Sequence, residues 1–359
     1  MAGTVDWVVA ERFAIRASGR EPFSASYHVQ SLQRDFDRLT AVAEELVEAE
    51  TGLRSAAGPA RARVTDRPGW IRANLASFQR LLAPMLDLVA ERVAASPIAP
   101  FTSKVAGAEL GLVLGWMSTR VLGQYDLLVV EEENPQDQDL VYYVGPNVLA
   151  IEKQFAFPPE EFRMWLALHE VTHRAQFTGV PWLRDHFLSL VHESMAMVDP
   201  DPARLDAVAG QIISAVRSGR NPLADGGLVA LVATPEQRAV LDRVNGMMSL
   251  LEGHGDVTMD RAGRHLVPSA DRFAKVLRAR RESARGLNRI FQQLIGLQAK
   301  LSQYAQGEAF IAEVERVGGP ELLTRAWEGP ENLPFLEEIR HPRSWTDRML
   351  AAVPVAERT

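Results

Sequence analysis

Residues 158–179 read PPEEFRMWLALHEVTHRAQFTG, and the rest of the chain is best read outward from them. Two prolines and two glutamates open the stretch. Proline is tolerated in a first helical turn, where its missing N–H is not needed, and acids there are favoured by the helix dipole. Gly179 and Pro181 close it, so the pattern predicts a helix running to about Gln176. Inside it, His169-Glu170-Val171-Thr172-His173 has the form H-E-x-x-H. Residues four apart share a helix face, so both imidazoles project to one side and can take adjacent corners of a tetrahedral zinc. Glu170 lies about 100° further round the helix. From there it can take a proton from a water on the metal and deliver it to a leaving amine.

A five-residue pattern can arise by chance, but its setting argues against that. Trp165, Leu166 and Leu168 make the segment apolar, and a buried His-Glu-His cluster with no metal would carry unsatisfied polar groups. The preceding region is rich in Val, Ile, Leu and Tyr. Asp126–Glu131 (DLLVVE), Leu140–Val144 (LVYYV) and Asn147–Glu152 (NVLAIE), separated by turn-forming residues, are expected to form a small antiparallel sheet, the only β region in the chain. A strand ahead of the histidine helix suits docking of an extended substrate.

The third ligand is open between two glutamates. The metzincin extension would put a glycine at position 176 and a third histidine at 179, but these are Gln176 and Gly179, which excludes that pattern. Glu193, 20 residues after His173, has the short spacing of thermolysin-like enzymes. Glu252 lies 79 residues on, in Leu250-Leu251-Glu252-Gly253-His254-Gly255-Asp256. Glu252 is preferred because Asp256 follows it by one turn. One acid can ligate the metal while the other hydrogen-bonds the far nitrogen of a ligand histidine and fixes its tautomer. Gly253 and Gly255 each cost a helix ~1 kcal/mol relative to alanine. That cost is explained if the helix must pass close against the histidine helix. His254 is either an oxyanion stabiliser or an ordinary helix histidine, and His254 or a water is the remaining alternative for the third ligand. Tyr143 and Tyr304 are weaker oxyanion candidates, His186 and His192 read as structural, and Arg278, Arg280, Arg281 and Arg285 read as a solvated face.

The surrounding 359 residues are those of an ordinary globular protein, 47% hydrophobic and 24% charged. There is no cysteine, which removes disulfides, thiol nucleophiles, Cys-ligated zinc and iron–sulfur clusters together. A net charge of −7 lacks the footprint of a nucleic-acid binder. The 35 arginines against 4 lysines reflect genome composition rather than function. Glycine fingerprints for phosphates or dinucleotides and the serine-hydrolase elbow are missing. Met1–Arg16 has neither a basic start nor a continuous apolar run, so no signal peptide is expected. Val105–Trp116 is far short of the ~20 residues a membrane span needs, and the cytoplasm is the default location.

Helical periodicity predicts helices over Phe23–Glu50, Trp70–Ala94 and Lys104–Leu122 before the β region. The last carries Gly107, Gly111 and Gly115, four apart, which would let another backbone approach. Further helices are expected over Trp182–Met197, Pro202–Arg217, Pro235 to about Asp260, Ala270–Tyr304 and Glu308–Val317. Pro320–Thr359, with Trp327 and Trp345, is expected to pack across the surface. The expected fold is mainly α with a small antiparallel β subdomain. It divides into an N-terminal helical region (1–100), a catalytic core (101–265) and a C-terminal helical region (266–359), in one compact unit.

Glu-x-x-x-Asp on a second helix after H-E-x-x-H resembles the gluzincin branch of zincin metallopeptidases. More narrowly, HEVTHRAQF, GVPWL and LLEGHGDVTMD, with DRPGWIRANL near residue 70 and the Leu301–Tyr304 region, resemble a bacterial family of zincin-like hydrolases. That family is associated with biosynthesis of the deazaflavin redox coenzyme. The resemblance implies a zincin-like core, one zinc per chain and hydrolysis of a peptide or amide bond, with Glu170 as general base. The rival expectations are a catalytically silent metal-binding scaffold acting through partners, and an amide hydrolase acting on a small metabolite. An intact Glu170 disfavours the scaffold. Oligomeric state is left open by the sequence.

Overall fold

The computed structural model describes residues 4–23, 26–94, 99–127, 139–196, 234–282 and 297–351. By contacts the chain divides into two units, one built from residues 1–179 and 258–276, the other from 180–257 and 277–359.

In the first unit the elements are α1 (Trp7–Ala17), α2 (Tyr27–Thr51), β1 (Arg61–Thr65), α3 (Arg67–Ala94), α4 (Ala99–Ser118), β2 (Gly123–Tyr125), β3 (Leu140–Val144), α5 (Gly145–Phe155) and α6 (Pro159–Gly179). The sheet has the order β1-β3-β2. Strand β2 runs antiparallel to β3, with Gly123 opposite Tyr143 and Tyr125 opposite Val141. Strand β1 runs parallel to β3, with Arg61 opposite Leu140 and Thr65 opposite Val144, so the sheet is mixed. All five residues of β3 are buried, as expected of a central strand covered on both faces. Helix α2 presents Leu32, Phe36, Leu39, Ala43 and Val47 to the core, and Phe36 stacks on Tyr143. Tyr143 donates to or accepts from Thr40 at 2.9 Å and is fully buried, which makes it a packing residue of the central strand. Its burial pushes its hydroxyl pKa well up.

Three expectations need correction here. Asn147–Glu152 is part of helix α5, not a strand. Gly145-Pro146 reads as a turn, but proline in a first turn serves a helix equally. Val148, Ile151 and Glu152 then turn inward at helical spacing, and Asn147 donates to the carbonyls of Ser118 and Val121. Second, β1 lies within the region read as purely helical. Arg61-Ala62-Arg63-Val64-Thr65 carries too few apolar residues to announce a strand, and it is held there by pairing with β3. Third, Asp126 and Leu127 follow β2 (Gly123–Tyr125) and are not themselves strand, while the rest of the expected Asp126–Glu131 strand lies outside the described residues.

The glycines of α4 behave as expected, and the approaching backbone is α1. A Cβ on Gly107, Gly111 or Gly115 would meet the carbonyl oxygens of Asp6, Ala10 and Ala14 at 2.3, 2.3 and 2.4 Å. Alanine would not fit at any of the three without separating the helices.

The second unit holds α7 (Leu183–Ala196), most of α8 (Pro235–Ala262), the end of α9 (Ala270–Glu282), α10 (Leu297–Thr324), α11 (Leu336–Arg340) and α12 (Pro342–Ala351). The expected Pro202–Arg217 helix lies outside the described residues. The C-terminal segment packs through its tryptophan up to Ala351, the last described residue. Trp345 is fully buried, packs edge-on against Phe310 with centroids 5.4 Å apart, and donates to the Asn332 carbonyl. No helix among the described residues is long and apolar enough to cross a membrane.

Candidate metal centre

Helix α6 starts with Pro159 and carries Glu160 and Glu161 in its first turn, as the sequence predicts. One face is packed: Phe162 stacks on Trp165, and both meet Phe273. The packed helix also buries polar groups that the sequence pattern does not reveal. Thr172 donates to the Leu168 carbonyl at 2.7 Å. Arg174, 1% exposed, reaches the carboxylates of Glu44 and Asp139 and the Gly58 carbonyl. A buried guanidinium matched by two carboxylates is costly to disturb, so it pins the roll of α6 about its axis.

That roll sets the two histidines. His169 Nε2 and His173 Nε2 lie 3.3 Å apart, with the rings nearly perpendicular at 87°. Two nitrogens bound to one zinc at ordinary Zn–N lengths and a tetrahedral angle stand about 3.3–3.4 Å apart, so the pair fits the ion. The tautomer suits it too. His173 Nδ1 lies 3.0 Å from Gln176 Oε1, an acceptor only, so Nδ1 carries the proton and the Nε2 lone pair is left for a metal. His169 is flanked by Trp165, whose ring lies nearly parallel at 12°.

Glu170 turns to another side of the helix, towards β2. It is 7% exposed, and its Oε2 accepts from the Tyr125 backbone N–H at 3.1 Å. Gly123, in the same strand, leaves the space that this carboxyl fills. A Cβ there would stand 2.7 Å from Glu170 Cγ and Oε1. Strand β2 has β3 on one side only, among the described strands. The site therefore combines two converging imidazoles, a carboxylate held next to them by a backbone donor, and a short strand at the sheet edge.

The remaining candidates sit in the second unit. Glu252 and His254, 5% and 7% exposed, lie on α8, with Asp256 one turn after Glu252 and partly exposed. His254 meets Trp327 edge-on at 5.1 Å, and the Trp327 carbonyl accepts from Trp182 Nε1. Gly253 makes a close approach to Gly307 of α10, where a Cβ on Gly253 would meet Gly307 Cα at 2.6 Å. Glu193 forms an ion pair with Arg243 at 2.8 Å. His186 packs against Trp182, and burial is the main cause that lowers its pKa. Tyr304 lies in α10, its side chain outside the described ones.

Gln176, Tyr125 and Gly123 were not singled out from the sequence. Gln176 was legible in principle, since a residue three after a histidine lies one turn above it and is an acceptor of the right length. Nothing in the sequence marks Gly123 or the Tyr125 N–H, because both act through the folding of β2 against α6.

Residues 5–346 match the family model for zincin-like metallopeptidases. The crystal structure of a proposed hydrolase with a novel fold, from Chloroflexus aurantiacus, is 32% identical over 97% of this chain and 100% of its own, with a TM-score of 0.72. No curated protein matches. A match over nearly the whole chain identifies a zinc hydrolase in general terms, and the fold is mainly helical around a small mixed sheet. This chain belongs to the family of zincin-like metallopeptidases.

Proposed function

We propose that the protein hydrolyses a peptide or amide bond with one zinc per chain, held by His169, His173 and Glu252, with Glu170 as general base. The carrying observation is the 3.3 Å separation of the two histidine Nε2 atoms, with Gln176 setting the tautomer of one. Zinc, when bound, polarises the scissile carbonyl and brings the pKa of a coordinated water to about 7. Glu170 takes the proton from the attacking water and returns it to the departing amine. The Tyr125 N–H holds its carboxylate in place, and its position beside the histidines rather than among them keeps it free of ligand duty. The edge of β2 gives an extended substrate a backbone to pair with. Glu252 is favoured over Glu193 because it is more deeply buried and is followed one turn later by Asp256, whereas Glu193 is engaged in an ion pair with Arg243. Asp256 and His254 are proposed to orient a ligand and to stabilise the oxyanion.

The test is metal analysis and turnover together. Protein purified with zinc present should hold close to one equivalent, and His169→Ala and His173→Ala should lose it. Glu170→Gln should keep zinc and the fold. Its turnover on a fluorogenic peptide library should fall by ~10²–10⁴, the range of general acid–base catalysis. An Nε2–Nε2 hydrogen bond between the histidines predicts instead a folded protein that takes up no zinc on titration, and that result would refute the proposal.

A further inference from the structure

Helix α4 is apolar over most of its surface, with Lys104 and Glu109 as its two charges. One face receives α1 through Gly107, Gly111 and Gly115, and another is buried through Leu114 against Trp70, Ile71 and Leu75 of α3. The third faces solvent and carries Phe101, Val105 and Leu112, which are 72%, 40% and 42% exposed. Ala108 lies between them. A helix this apolar favours an interior, yet these three side chains stay exposed, so among the described residues the outer face is left uncovered. Phe13 of α1, 43% exposed, starts beside Gly111 and extends the patch.

The spacing of that face is 101, 105, 108 and 112, which is the alternation of four and three that lines a coiled-coil seam. Phe101 and Ala108 take one of the two core positions of the heptad, and Val105 and Leu112 the other. The charges fall into the same register. Lys104 directly precedes Val105 and Glu109 directly follows Ala108, so they flank the seam on opposite sides, five residues apart. In a parallel pair of identical helices, these two flanking positions face each other across the interface. Lys104 of each copy would meet Glu109 of the other, twice. In an antiparallel pair, like would face like. Both side chains are exposed, and among the described residues neither forms an ion pair within its own chain. Gly115, next in the heptad, is covered by Ala14 of α1, so the seam ends at Leu112.

We propose that this face is a self-association surface: two copies pair through α4 in parallel register, with Phe101, Val105, Ala108 and Leu112 at the centre and Lys104–Glu109 bridges at the flanks. Two heptads give a small interface, so the dimer is weak and concentration-dependent. The surface is independent of the zinc reading and needs no substrate to test.

Sedimentation velocity on the full-length protein should show dimer growing with concentration. Leu112→Glu should weaken association at least ~10-fold, because a charge would be buried in the seam. Lys104→Glu should weaken it, and Lys104→Glu with Glu109→Lys should restore it. The chain has no cysteine, so single introduced thiols report geometry cleanly. Phe101→Cys and Ala108→Cys, one heptad apart, should each cross-link to its own counterpart under mild oxidation. Only parallel register allows both. A protein that stays monomeric at all concentrations leaves the face to some other occupant and overturns the proposal. So does a dimer indifferent to Leu112→Glu, or cross-linking at only one of the two positions. Circular dichroism on each variant separates lost association from lost folding, and the exposed charge swap covers the case in which a cysteine variant misfolds.

Discussion

Gln176→Met removes the acceptor from His173 Nδ1 while keeping nearly the same side-chain volume. Gln176 is fully buried and the contact is 3.0 Å, so no bulk water replaces the lost oxygen. Two effects add. The imidazole loses the hydrogen bond that selects the tautomer with its lone pair on Nε2. It also loses the anchor that keeps that nitrogen 3.3 Å from its neighbour on His169. A neutral hydrogen bond contributes about 1 kcal/mol net, rising to about 1.5–3 kcal/mol when one partner is charged or polarised by a metal. The expected loss of zinc affinity is therefore ~10–100-fold, the range seen when partners of ligating histidines are removed. Competition against a chromogenic chelator measures it directly and requires no substrate. Gln176→Glu keeps an acceptor and should retain zinc within a few-fold. A Met variant that is folded and binds zinc as tightly as the parent would show that Gln176 does not orient the ligand.

Other expectations follow from the same geometry. Glu252→Ala should reduce zinc affinity far more than Glu193→Ala, and Asp256→Asn by a smaller ~10–100-fold; the reverse order in the same competition assay would reassign the third ligand. Gly123→Ala forces a methyl to within 2.7 Å of the Glu170 side chain. It should lower stability by ~1–3 kcal/mol in thermal or urea unfolding while leaving zinc stoichiometry unchanged. Glu313 accepts from Arg316 and Arg343, and the Arg316 hydrogen bond is the main cause that lowers its pKa to about 2. A carboxyl held below its unfolded value of 4.5 stabilises the fold above that pH and loses the contribution as pH falls towards 2. Hydrogen exchange in α12 should therefore rise across that window, and Glu313→Gln should flatten the change.

What the sequence determined by itself is local. The two histidines share a face because four residues make about one helical turn, and that holds in any fold that keeps α6 helical. The caps of that helix, the apolar stripe of α2 and the glycine face of α4 follow from the same short-range rules. The lack of cysteine settles which side chains can hold a metal. Tertiary structure decided what depends on residues far apart in the chain. Strand β1 exists because β3 offers it a ladder, not because RARVT is a good strand. The NVLAIE segment becomes a helix because Asn147 finds the carbonyls of Ser118 and Val121 and its apolar residues find a core at helical spacing. The position of Glu170 depends on a missing Cβ at Gly123 and a backbone N–H at Tyr125, 45 residues earlier for the latter contact. The roll of α6 depends on Arg174 reaching Glu44 and Asp139. Backbone donors, empty volumes and buried ion pairs leave no periodic trace in a sequence. They arise only when packing brings distant segments to within a few ångströms, where hydrogen bonds and desolvation act.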